Sequence, residues 1–96
     1  MNSNPYHLNG EKSSDIVSIA EKIIQLEGAL KKDPDNVEIL FDLGQHYFLQ
    51  GNLKAAIQTF EKLLVIQPNL AIAHYHIGLC YYRTAMLGLA IRSLHR

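Results

Sequence analysis

Histidine and cysteine are the residues of this chain whose type and spacing would allow chemistry. Five histidines and one cysteine occur among the 96 residues, and His76 and Cys80 stand four residues apart. On a helix that spacing brings two side chains to one face, where they can bind a metal or pair a thiol with a base. A structural zinc site needs further ligands, and no second pair of comparable spacing supplies them. We therefore predict a small, packed cysteine, no metal site and no cofactor.

Other catalytic patterns are missing from the sequence. There is no glycine-rich phosphate loop, no paired acidic constellation, and no Ser, His and Asp arrangement in a recognisable context. We therefore predict that the chain is not an enzyme. A cleft in which an exposed Cys80 touches His76 would change that interpretation.

The strongest pattern in the chain is an internal repeat with a period of 34 residues. Residues 37–62 and 71–96 share five identities in 26 aligned positions, more than chance would give. A fixed period in this range is typical of repeat architectures, because one unit cannot bury its apolar face alone and stacks on the next copy. The identical pairs are Gly44 and Gly78, Tyr47 and Tyr81, Leu53 and Leu87, Ala56 and Ala90, and Ile57 and Ile91.

Capping residues and prolines indicate where helices begin and end. Asp35, with Glu38 three residues later, predicts a capping box, and Asn69 predicts a second cap. A proline disfavours helix at the residue before it, so Pro34 and Pro68 should end the preceding helices near residues 32 and 66. Short links then force antiparallel helix pairs. We expect helices at about 14–32, 37–50, 53–66, 71–82 and 87–96, with links that include residues 51–52 and 84–86.

Two of the repeated residues are glycines inside predicted helices. Gly44 and Gly78 each cost about 1 kcal/mol of helix propensity relative to alanine. We infer that close packing offsets this cost, because a residue without a side chain lets two helices approach closely.

Residues 37–70 carry a degenerate pattern of small and apolar residues that resembles the tetratricopeptide repeat. Residues 71–96 look like a second copy that stops inside its second helix, and residues 14–36 resemble the second helix of an incomplete leading copy. His74 departs from the pattern, which usually has a bulky apolar or aromatic residue there. The residues that match the pattern in 37–70 are Leu40, Leu43, Gly44, Tyr47, Ala56, Phe60 and Pro68.

This resemblance implies an all-α fold class. Antiparallel helical hairpins would stack as a short right-handed superhelix over residues 14–96, after a flexible segment at residues 1–13. It also implies a noncatalytic protein-interaction module, in which the first helices of successive repeats line a concave groove.

The groove implied by the resemblance is an apolar trough of aromatic and aliphatic side chains. It suits a short peptide or an amphipathic helix of a partner protein. The alternative is that these rings pack against an adjacent helix or a second copy of the chain. The groove residues would be Glu38, Phe41, Gln45 and Phe48 from one helix and Ile72, Tyr75, Leu79 and Tyr82 from the other.

A carboxylate clamp of Lys, Asn and Arg side chains is the best-known ligand site of this family, and we do not expect it here. Phe41 and Gln45 stand where the clamp has Lys and Asn, and His76 stands where it has Asn. A neutral, partly apolar ligand fits this sequence better than an acidic tail.

Composition argues against several other classes. The hydrophobic content of 48% suits one compact domain, and a formal net charge of zero argues against a nucleic-acid or membrane-surface role. The longest apolar runs are far shorter than the roughly 20 residues of a membrane span. The first residues lack a signal peptide and the single cysteine cannot form an internal disulfide, so we expect a cytoplasmic protein.

The end of the chain is basic, and its last predicted helix is apolar on more than one side. Residues 71–96 contain three arginines and no acidic residue, and Leu87, Leu89, Ile91 and Leu94 spread around the helix. Either the chain is a piece of a longer repeat protein, or a second chain, an exchanged helix or a ligand covers this surface. The alternative function is therefore a structural or assembly module that homo-oligomerises through its apolar face and truncated C-terminal helix.

Overall fold

Four helices make up the part of the chain that the computed structural model describes, which is residues 7–94 for the backbone and 15–92 for the side chains. They are α1 (His7–Lys32), α2 (Val37–Gln50), α3 (Leu53–Ile66) and α4 (Ala71–Leu94). Each helix packs on the next, and α2 also touches α4. The described residues contain no strand, so the predicted all-α fold of stacked antiparallel helices is confirmed.

The bounds of α2 and α3 agree with those predicted from the sequence, but the predicted caps are wrong by one residue. Asn36 is the N-cap of α2, where its Oδ1 accepts the N–H of Ile39 at 3.0 Å. Asp35 stands one residue too early for this role. Likewise α4 begins at Ala71, and a side chain caps a helix from the residue directly before the first helical one, which excludes Asn69.

A tight turn joins α2 to α3. Gly51 has a φ of 89°, in the left-handed region that favours glycine, and its N–H donates to the carbonyl of Phe48 at 3.0 Å. The N–H of Asn52 donates to the carbonyl of Tyr47 at 2.9 Å, which completes a Schellman motif. The side chain of Asn52 then caps α3 by accepting the N–H of Ala55. These two residues therefore end one helix and start the next.

The break predicted at residues 84–86 is wrong, because α4 is one continuous helix of 24 residues. At the 34-residue period, Gly51 and Asn52 correspond to Ala85 and Met86. Alanine and methionine are strong helix formers and supply neither a left-handed residue nor a side-chain cap. The second copy of the repeat is therefore a long helix, where the first copy is a hairpin.

The first helix also starts earlier than expected. α1 begins at His7, whereas the sequence pattern predicted a start near Ser14. α1 thus includes part of the segment 1–13 that we expected to be flexible, and residues 1–6 lie outside the described residues. The flexibility of this segment stays a prediction.

The main core lies where α2, α3 and α4 meet. The largest fully buried side chains are those of Phe60, Leu40, Leu63 and Cys80. A Cβ atom added to Gly44 would lie 2.7 Å from the Phe60 ring, whereas one added to Gly78 would meet nothing within 4 Å. The close approach predicted for both glycines therefore occurs only at Gly44.

A second cluster of Ile23, Leu26 and Leu43 joins α1 to α2. A hydrogen bond from the hydroxyl of Tyr47 to a carboxylate oxygen of Glu27 connects the same two helices. Burial of the ring, together with the hydrogen bond and the charge of Glu27, raises the pKa of Tyr47 to about 12. None of the helices in the described part of the chain is both long and apolar enough to cross a membrane.

Candidate functional site

The face shared by α2 and α4 contains two shallow depressions. One lies beside Phe41 and the other beside Phe48, two helical turns later on α2. The first depression has a volume of about 390 Å³ and the second about 280 Å³. Val37, Glu38, Phe41, Asp42, Leu70 and Ile72 line the first, and Gln45, His46, Phe48, Leu49 and His76 line the second.

The structure therefore brings five of the eight predicted groove residues into these depressions, namely Glu38, Phe41, Gln45, Phe48 and Ile72. Tyr75 lies next to them, since its ring packs edge-on against the ring of His76 with centroids 5.7 Å apart. The half-buried Leu79 and the exposed Tyr82 are not among the lining residues of either depression. The eight residues do not form one continuous trough.

Exposure divides the site into a floor and a rim. Phe41 and Phe48 are half-buried, and the Phe41 ring makes an edge contact with the buried Phe60 ring at 6.0 Å between centroids. By contrast, Ile72 is 43% exposed and Tyr75 is 61% exposed. Phe41 therefore belongs to the floor and helps to hold the core together, while Ile72 and Tyr75 are free to contact a partner.

The ring of His76 lies at the centre of this aromatic cluster. Its centroid is 5.2 Å from that of Phe60, 5.6 Å from that of Phe41 and 6.4 Å from that of Phe48. Its Nδ1 lies 2.9 Å from the carbonyl oxygen of Ile72, one turn earlier in α4. An N–H donated to that carbonyl would hold the ring in this position. His76 of α4 thus contacts the phenylalanine rings of both α2 and α3.

Charges differ between the two ends of the face. Glu38 and Asp42 line the first depression. At the other end the guanidinium carbon of Arg83 lies 4.9 Å from the centroid of the Phe48 ring, a cation–π geometry. The site is thus acidic near the start of α2 and basic near its end.

The chemistry that His76 and Cys80 might have shared is not supported by their surroundings. Cys80 is fully buried. Burial raises the pKa of its thiol, and the charge of Arg83 only partly opposes this effect. Among the residues that the structure describes, no group of three or more His, Cys, Asp or Glu side chains could hold a metal. The predicted packed cysteine is confirmed.

Sequence reasoning missed the role of His76 and Arg83 in this face. In the sequence, His76 stands where the clamp has Asn and four residues before Cys80, and Arg83 belongs to the basic end of the chain. Both residues follow predicted groove residues of α4 by one helical turn, because His76 comes four residues after Ile72 and Arg83 four after Leu79. This spacing is the signal that could have placed them on the same face.

Comparison with known proteins supports the repeat assignment. Residues 44–84 match the sequence profile of the TPR repeat. Over 76 residues, or 77% of its length, the chain is 33% identical to Superkiller protein 3 of Saccharomyces cerevisiae. Over 56 residues, or 58% of its length, it is 39% identical to Interferon-induced protein with tetratricopeptide repeats 2 of Mus musculus.

A relative with the same name from Cricetulus griseus is 31% identical over 67 residues, or 70% of this chain. The matched stretches cover only 5%, 12% and 14% of these three relatives. The chain therefore spans a small part of each relative's length. These matches confirm the resemblance that the pattern in residues 37–70 predicted.

Proposed function

Since this chain carries tetratricopeptide-repeat sequence, we propose that it is a noncatalytic module that binds a peptide or helix of a partner protein on the α2/α4 face. The observation that carries this proposal is the arrangement of exposed and half-buried apolar side chains. Exposed Ile72 and Tyr75 stand beside a floor of half-buried Phe41 and Phe48. Apolar anchors of a partner can enter the two depressions and bury the exposed side chains, as at other interfaces with aromatic hot spots.

The charges on the face favour one direction of binding. A bound segment would place a basic residue near Glu38 and Asp42, and an acidic residue or its C-terminal end near Arg83. Complementary charges of this kind contribute to specificity and orientation. We therefore refine the neutral ligand expected from the sequence to one with apolar anchors and opposite charges at its two ends.

Two of the relatives are named for their tetratricopeptide repeats, and the interaction role proposed here is the one that this resemblance implies. The proposal includes the cytoplasmic location expected from the sequence. It also includes a scaffold role without affinity for nucleic acid or membranes.

A peptide-selection experiment tests the groove. Peptides selected from a random library on the wild-type chain would be measured by fluorescence polarisation against a double variant, Ile72→Ala with Tyr75→Ala. We expect the variant to bind at least about tenfold more weakly, since truncating anchor residues commonly costs 1 kcal/mol or more. Phe41 is left intact, because its contact with Phe60 would confound the result with unfolding.

The matched control is Ile24→Ala with Val65→Ala, because both side chains are exposed and lie on α1 and α3, away from the face. We expect this control to bind like the wild type. Equal binding by all three proteins, or selection of no peptide by the wild type, would contradict the groove.

A further inference from the structure

The second half of α4 carries the same residue types as α3 but leaves them uncovered. In α3, Leu53 is 9% exposed, whereas its repeat equivalent Leu87 is 56% exposed in α4. The other two identical pairs of these helices show the same contrast. Ala56 is buried but Ala90 is exposed, and Ile57 is half-buried but Ile91 is exposed.

In the part of the chain that the structure describes, the first half of α4 also lacks a helix that its equivalent in the first repeat, α2, has beside it. In the first repeat, Gly44 is covered by the Phe60 ring of α3, and Tyr47 packs against the core. The equivalent Gly78 has open space around it, and Tyr81 is 55% exposed. The first half of α4 thus keeps the surface that receives a second helix, but no helix among the described residues covers Gly78 or Tyr81.

Residues 71–94 cannot satisfy both surfaces by themselves while α4 is continuous. Gly78 and Ala90 are 12 positions apart on one straight helix, which separates them by about 18 Å along its axis. A donor helix of the α3 kind must instead run antiparallel beside the receiving half, as α3 runs beside α2. A second copy of the chain carries the matching donor segment.

We propose that two copies of this chain form a symmetric dimer in which their α4 helices lie antiparallel and exchange second halves. Each second half covers Gly78 and Tyr81 of the partner, as α3 covers Gly44 and Tyr47 within the chain. A contact that uses the same patch on both copies closes with two-fold symmetry. Because the α2–α3 turn is centred on Gly51 and Asn52, the equivalent Ala85 and Met86 lie at the two-fold axis.

An open crevice marks where the partner's segment would enter. It has a volume of about 770 Å³, and its walls include Leu53 and Ile57 from α3 and Tyr81, Leu87 and Ile91 from α4. The α4 wall of this crevice thus leaves Tyr81, Leu87 and Ile91 exposed, a liability that association removes. This inference does not depend on the proposed α2/α4 groove, which uses other residues.

Sedimentation of the chain at several micromolar concentrations tests the dimer with two variants. The hinge variant replaces the two residues at the two-fold axis, Ala85→Gly with Met86→Asn. It copies the turn of residues 51–52 and should let α4 fold back as a hairpin. We expect the wild type to dimerise and the hinge variant to be a monomer of nearly unchanged helical content. Ile91→Lys, which alters an exposed side chain, should weaken the dimer at least tenfold while leaving the helices intact.

Two controls separate this dimer from other associations. Val65→Lys changes a side chain that is 81% exposed on α3 and should leave dimerisation unchanged, as should Ile72→Ala with Tyr75→Ala. A wild type that is monomeric throughout the micromolar range would overturn the proposal. A hinge variant that dimerises like the wild type, or loss of the dimer in the groove variant, would overturn it as well.

Discussion

The ring of Phe60 in α3 occupies the space where a side chain on Gly44 in α2 would lie. Three atoms of that ring stand 2.7, 2.8 and 2.9 Å from the position of an added Cβ. The ring is fully buried and also contacts Phe41 and His76, so it has little freedom to move away. The pair therefore fixes how closely the two helices of the first repeat approach.

Gly44→Ala should destabilise the fold because the added methyl group overlaps the Phe60 ring. We expect the free energy of unfolding to fall by about 1–3 kcal/mol, the usual cost of overpacking, less the gain in helix propensity. Urea denaturation followed by circular dichroism measures this change. The control is Gly28→Ala, which adds a methyl group in open space on α1 and should raise stability by up to about 1 kcal/mol. Equal effects at both positions would refute the packing argument.

The pair of Tyr47 and Glu27 predicts a loss of stability at high pH. Burial, the hydrogen bond and the carboxylate raise the pKa of Tyr47 from 10.0 to about 12. Because the folded state holds the phenol proton more tightly, this contribution is complete below pH 10 and is lost as the pH rises through 12. The wild type should therefore lose more stability across this interval than Tyr47→Phe does. Absorbance of the phenolate, recorded during alkaline titration, gives the pKa directly.

Glu27→Gln is the matched variant for this titration, since an amide oxygen can still accept the hydrogen bond. It should lower the pKa of Tyr47 while leaving it above the ordinary value, because burial remains the largest cause. At neutral pH, Tyr47→Phe should cost about 1 kcal/mol for the lost hydrogen bond. A Tyr47 whose pKa is not raised above 10.0 would contradict the pairing.

The thiol of Cys80 should react slowly with a disulfide reagent while the protein is folded. It is fully buried, and that burial raises its pKa, so little thiolate is available to attack. The rate should increase with urea in parallel with unfolding. For comparison, Val65→Cys in a Cys80→Ala background places a thiol at a position that is 81% exposed in the wild type and should react at once. Fast reaction of native Cys80 would show that this part of the core is open.

The contact between Arg83 and Phe48 should contribute modestly to stability. Arg83 is exposed, and cation–π pairs at exposed sites contribute about 0.5–1 kcal/mol. A double-mutant cycle with Arg83→Gln and Phe48→Leu isolates this term from the packing of each side chain. Additive losses, with no coupling between the two changes, would mean that the contact contributes nothing.

The sequence predicted the first repeat more fully than the second, for a physical reason. The links on both sides of α2 and α3 carry strong local signals, namely two prolines and the Gly51–Asn52 pair, so these bounds were correct. The predicted link at residues 84–86 lies one period after that pair, but Ala85 and Met86 lack the properties that made the first turn. Periodicity identifies equivalent positions, but the residues at each position decide its conformation.

The candidate site was predictable in part. Steps of three and four on α2 and α4 predicted five of the residues that line the two depressions, and their role in binding a partner stays a prediction. The position of His76 between Phe41 and Phe60 depends on how α3 and α4 pack on α2, which no local pattern contains. For the same reason the sequence could not distinguish Phe41, which helps to form the floor, from Tyr75, which stands free.

The unbroken α4 also bears on how many binding faces one particle can present. A helix of 24 residues is about 36 Å long, and a pair of such helices would hold two α2/α4 faces at a fixed separation. A ligand with two suitably spaced motifs would then engage both faces and gain avidity over a ligand with one. Folding the same residues back as a hairpin would leave a single face per particle. Two residues at the middle of α4 would thus determine valency without touching either binding face.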